Sequence, residues 1–71
     1  MAAQRRRQGL ADLTERQQEI LQYVAAGYSN DQIGRRLQLS PATVRKHLEN
    51  IFARLDVTSR TAAVTRAQGW Q

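Results

Sequence analysis

Leu39-Ser40-Pro41-Ala42-Thr43-Val44-Arg45-Lys46-His47-Leu48-Glu49-Asn50-Ile51-Phe52-Ala53-Arg54-Leu55 is the stretch whose reading decides the fold. Ser40 is a strong N-cap. Pro41 follows at the first helical position, where a missing N–H costs nothing. Val44, Leu48, Ile51 and Leu55 then recur at spacings of four, three and four, a narrow apolar stripe down one side of a helix. The spacing predicts a helix over about 41–55. At about 100° per residue, Ala42, Arg45, Lys46, Glu49 and Ala53 fall away from that stripe and project outward.

Upstream, Gln38-Leu39-Ser40 reads as a short break. Before it, Ser29 or Asn30 can cap a helix over about 30–37. Ser29 with Gln32 forms a capping box, and Ile33 and Leu37 share a face. Gly34 inside that helix costs about 1 kcal/mol in propensity, so another helix is expected to approach it closely. Thr14 and Gln17 make a second capping box, and Glu15 suits the positive end of a helix dipole. Ile20, Leu21, Val24 and Ala25 form the apolar face of a helix over about 15–26, which Gly27 can end in left-handed geometry. Downstream, Asp56-Val57-Thr58 is a connection. Thr58 or Ser59 caps a fourth helix over about 59–68, running through Ala62, Ala63, Val64 and Ala67 to Gly69.

No strand-like alternation occurs, so the expected fold is all-α: one four-helix domain over 13–71, preceded by a flexible basic tail over 1–12 that carries Arg5-Arg6-Arg7. Helix, three-residue break and capped longer helix follow the helix-turn-helix plan. Tyr23 and Tyr28 read as packing residues with wet hydroxyls. Trp70 reads as docking on the core or covering a dimer seam.

Composition narrows the function. The chain has 71 residues, no cysteine, and 11 Lys plus Arg against 6 Asp plus Glu, a net charge of +5. So small a core has no disulfide or thiolate zinc site to help it, and the lack of cysteine suits a cytoplasmic setting. The charge calls for a polyanionic partner, nucleic acid before an anionic membrane surface. No apolar run approaches the roughly 20 residues a spanning helix needs. His47 is the only histidine, too little for a metal site. No nucleophile with a positioned base and no phosphate-binding glycine loop is apparent, so neither an enzyme nor a cofactor is expected.

The outward face of the helix over 41–55 carries groups suited to reading bases. Arg45 and Lys46 can donate to guanine O6 and N7, Glu49 can accept from the cytosine N4 amino group, and Ala42 or Ala53 can sit against a thymine methyl. Around it Asn30, Arg35, Arg36, Ser40, Thr43, His47, Asn50 and Arg54 are placed to contact phosphates, which set register and supply salt-dependent affinity.

The pattern Leu13-Thr14-x-Arg16-x-x-Glu19-Ile20-Leu21, Gly27-Tyr28-Ser29-Asn30-x-x-Ile33-x-x-x-Leu37 and Leu39-Ser40-x-x-Thr43-Val44-Arg45-x-His47-Leu48-x-Asn50-Ile51-Phe52-x-x-Leu55-x-Val57-x-x-Arg60-x-x-Ala63 resembles the LuxR-type (FixJ/NarL/GerE-like) DNA-binding domain over about residues 13–67. The resemblance implies a bacterial transcription regulator binding double-stranded DNA at imperfect inverted repeats. It implies that the fourth helix pairs two subunits, here through Ala62, Ala63 and Arg66. It places Arg45 in the major groove, Lys46 at a variable position that helps set target choice, and Thr43, His47 and Arg54 at the DNA backbone. Gly34 stands where Ala is usual, Gln17 where Glu is common, and Glu49 where some relatives are basic. Such a domain normally ends a longer regulator with a sensory N-terminal part. No such part precedes it here, so the chain reads as a C-terminal domain or a small stand-alone regulator.

Two other readings compete. A sigma-factor region-four-like module shares the Leu-Thr-x-Arg opening and the Thr-Val-Arg stretch, and brings RNA polymerase in as a partner. A basic helical protein-interaction module would use the alanine-rich fourth helix for packing.

Overall fold

The computed structural model describes residues 13–68. The expected tail over 1–12 and the readings of Gly69 and Trp70 lie outside them. Among the described residues every regular element is a helix: α1 (Glu15–Ala25), α2 (Asn30–Leu37), α3 (Pro41–Leu55) and α4 (Arg60–Gln68). The expected boundaries hold to one residue, because Ala26 caps α1 from outside the helix and Ser59 precedes α4.

Each helix begins where its capping chemistry says it should. Thr14 Oγ1 accepts from the Gln17 N–H at 3.0 Å, and Gln17 Oε1 accepts from the Thr14 N–H at 3.0 Å. Ser29 and Gln32 repeat that exchange at the start of α2, at 3.2 and 2.8 Å. Ser40 Oγ accepts from the Thr43 N–H at 3.1 Å, with Pro41 opening α3. Of the two candidates for α4, Ser59 supplies the cap, its Oγ accepting from the Ala62 N–H at 3.0 Å.

Three helices also end alike. An N–H two or three residues past each helix reaches back five positions: Tyr28 to the Tyr23 carbonyl at 3.0 Å, Leu39 to Gly34 at 2.8 Å, Val57 to Phe52 at 3.0 Å. Tyr28, Leu39 and Val57 are all packed partly into the core, the apolar contact that commonly accompanies a Schellman closure. The closure needs a left-handed residue. Gly27 takes φ 94°, but Gln38 and Asp56 take φ 60° and 57° without being glycine.

α3 packs against each of the other helices, and α1 also packs on α4. The expected stripe of Val44, Leu48, Ile51 and Leu55 is buried, joined by Leu13, Ile20, Leu21, Val24, Ile33 and Ala63. Gly34 is buried as well, but another helix is not what crowds it. A side chain there would collide with the Leu39 carbonyl oxygen, so the glycine makes room for the turn between α2 and α3. Among the described residues no helix is long and apolar enough to cross a membrane.

Candidate nucleic-acid interface

With its stripe turned inward, α3 presents Ala42, Arg45, Lys46, Glu49 and Ala53 as exposed residues. The three side chains expected to read bases therefore leave one side of one helix, clear of the core. Arg36, Ser40, Thr43, Asn50 and Arg54 are exposed too, while His47 and Asn30 are half-buried. His47 borders the buried stripe, so its ring lies partly against the domain and only part of it is open to a ligand.

Local hydrogen bonds decide what several of these groups can offer. The Ser40 and Thr43 hydroxyls lie 2.9 Å apart and share a hydrogen bond. Two hydroxyls bring two hydrogens and the shared bond uses one. Whichever oxygen donates, the pair keeps one O–H for an external acceptor such as a phosphate. The Arg36 guanidinium sits over the Tyr28 ring, 5.1 Å from its centroid, and Tyr28 in turn leans on Tyr23 with ring centroids 5.0 Å apart. A cation stacked on a ring keeps its N–H edges available in the guanidinium plane. This aromatic support orients Arg36 without neutralising it.

Two arginines of α4 reach into the helix-turn-helix. Arg66 Nη1 donates to the Leu55 carbonyl at 2.9 Å. That carbonyl is one of those left without a partner at the C-terminal end of α3. Arg66 thus holds the C-terminal end of α3. Ala63 is fully buried in the domain's own core and Ala62 is half-buried. Of the three residues expected to pair subunits, Ala63 has no surface to offer a second copy.

Arg60 appears in the family pattern, but the sequence assigns it no role. It donates through Nη1 to Asn30 Oδ1 at 2.8 Å and through Nη2 to the Tyr28 carbonyl. The contact spans 30 positions of chain, and no local pattern announces it. Gln17 does more than cap α1. It is also 7% exposed and lines a shallow hollow of about 440 Å³ with Asn50, Ala53 and Arg54, so the start of α1 joins the C-terminal part of the exposed face of α3. Among the described residues no cluster of His, Cys, Asp and Glu is arranged to hold a metal.

A family model described as bacterial regulatory proteins, luxR family, matches residues 11–67. The match runs through α4. The putative HTH-type transcriptional regulator YhjB of Escherichia coli (strain K12) is 52% identical over 54 residues, covering 76% of this chain and 27% of that protein. The transcriptional regulatory protein DegU of Brevibacillus brevis is 42% identical over 66 residues, covering 90% of this chain and 28% of that protein. The chain thus spans a little over a quarter of the length of these relatives.

Proposed function

The chain belongs to the luxR family of bacterial regulatory proteins and carries its helix-turn-helix DNA-binding domain, and on that premise we propose that it regulates transcription by reading duplex DNA with α3 in the major groove. The observation that carries this reading is the exposed face of α3. Arg45, Lys46 and Glu49 project together from a helix whose other side is locked into the core. Arg45 and Lys46 are donors for guanine, and Glu49 is an acceptor for cytosine. Phosphate contacts come from Asn30, Arg36, Ser40, Thr43, His47, Asn50 and Arg54, and hold the helix in register.

Two copies occupy an inverted repeat and meet through α4. In this arrangement Ala62 and Arg66 face the partner, and buried Ala63 sets the height of α4 on its own domain. The pair acts in the cytoplasm, where RNA polymerase is the further partner that regulation requires.

Selection of bound duplexes from a random pool tests the reading. The expected product is a pair of inverted half-sites separated by about one helical turn, or a multiple of it. An unenriched pool rejects sequence-specific reading. A lone half-site rejects the paired arrangement while leaving base reading in place.

A further inference from the structure

Arg60 lies at the first position of α4, away from the reading face of α3, yet its guanidinium ends in the loop that leads into α2. Both groups it holds are acceptors on that side: the Tyr28 carbonyl and Asn30 Oδ1. Arginine has no acceptor of its own, so the Asn30 amide must turn its oxygen toward Arg60. Its Nδ2, with two N–H donors, is thereby the end turned away. Neither acceptor is charged, and exposed Asp31 lines the same hollow of about 500 Å³ with Tyr28, Ser29, Asn30 and Arg60.

We propose that Arg60 is a positioning residue for DNA binding: by gripping the Tyr28 carbonyl and Asn30 Oδ1 it presents the Asn30 Nδ2 donors to a DNA phosphate. The inference deepens the reading of Asn30 as a phosphate contact and rests on it. A free asparagine side chain samples several rotamers and two amide orientations, and only some of them donate outward. The forked guanidinium selects among them before DNA arrives, so the ordering cost is met on folding and not on binding. The same grip ties the first turn of α4 to the first turn of α2. α4 therefore acts on the DNA backbone contact within one subunit, whatever it does between subunits.

The test uses the full chain and a duplex chosen by the parent protein from a random pool. Asn30→Ala and Arg60→Ala are each expected to weaken binding about tenfold at fixed salt, the loss of one hydrogen bond to a charged acceptor. The double variant is expected to weaken it no further, because both changes remove one unit. Arg60→Lys keeps the charge but not the fork, and it should bind like Arg60→Ala.

Ethylation interference supplies a readout that a merely structural role would not move. One phosphate whose ethylation weakens the parent is expected to become indifferent in Asn30→Ala and in Arg60→Lys, with the other phosphates unchanged. Additive losses, or full affinity in Arg60→Lys, would overturn the positioning role while Asn30 stays a contact. Full affinity in Asn30→Ala would instead remove Asn30 from the interface and the proposal with it. Should Arg60→Ala unfold by circular dichroism, the Arg60→Lys and Asn30→Ala comparison decides the matter alone.

Discussion

Arg45 and Gln38 show how differently two exposed residues of one motif are constrained. Arg45 is exposed on α3 and belongs to no core contact, so truncating it should leave stability within about 0.5 kcal/mol. A bidentate contact to a guanine edge is worth about 1–3 kcal/mol of discrimination. Arg45→Ala is therefore expected to keep its circular dichroism and melting temperature and to lose that much affinity for a selected site. Titration against parent and variant duplexes checks it, and equal dissociation constants at one salt concentration would refute base reading by Arg45. Gln38 is constrained by its backbone. It sits at φ 60° and ψ 43°, where an L-residue is held about 1–2 kcal/mol above its preferred basin. Glycine removes that strain and adds freedom to the unfolded chain, a partial offset. Gln38→Gly is expected to gain about 0.5–1 kcal/mol. Thermal melting should show a rise of a few degrees, and a fall would mean that the Gln38 side chain holds the turn.

At the scale of elements, the geometry of the helix-turn-helix rests on the fit between α2 and the turn that follows it. Gly34 lies against the Leu39 carbonyl, and the Leu39 N–H closes back on the Gly34 carbonyl at 2.8 Å. Turn and helix are thus in contact along their backbones, which cannot rotate aside as a side chain can. Gly34→Val adds branched bulk at that contact, and β-branching lowers helix propensity further. A loss of about 2–4 kcal/mol is expected, in the range of overpacked or strained core sites, read as a lower midpoint in urea. An unchanged midpoint would show that the turn can move off α2 freely. The sequence made the starts of these helices legible, because Thr14, Ser29, Ser40 and Ser59 each act within three or four residues. Two of the ends were harder to read. Gln38 and Asp56 carry no glycine signal. The available clue was the apolar residue immediately after each, Leu39 and Val57, which anchors the closure in the core.

For the whole molecule the deciding quantity is charge. A net +5 on 71 residues favours any polyanion, but specific binding needs that charge delivered to phosphates at fixed places. With Arg36 and Arg54 each neutralising a phosphate, log K should fall against log salt with a slope of about −2 per subunit. Arg36→Ala should reduce the slope by about one and weaken selected and random duplexes alike. A flat salt dependence would favour a protein partner over DNA. Loss of sequence preference without a change in slope would move Arg36 from the backbone to the bases. The arginines of α4 behave otherwise. Arg60 and exposed Arg66 each bond to their own domain, at the loop before α2 and at the end of α3, and so serve the shape that carries the charge.

The reading stretch from Ser40 to Leu55 keeps its meaning. By itself the sequence determined the four helices, their starts to within one residue, the inward stripe of Val44, Leu48, Ile51 and Leu55, and the outward face with Arg45, Lys46 and Glu49. Those features follow from caps a few residues long and from the 3.6-residue helical period, both local rules. Only the tertiary structure decided that Gly34 yields to a turn and not to a helix, and that Ala63 belongs to the core. It alone decided that Arg60 and Asn30 meet across 30 positions. Such contacts depend on how separate helices are set against one another, and no periodicity within one helix encodes that.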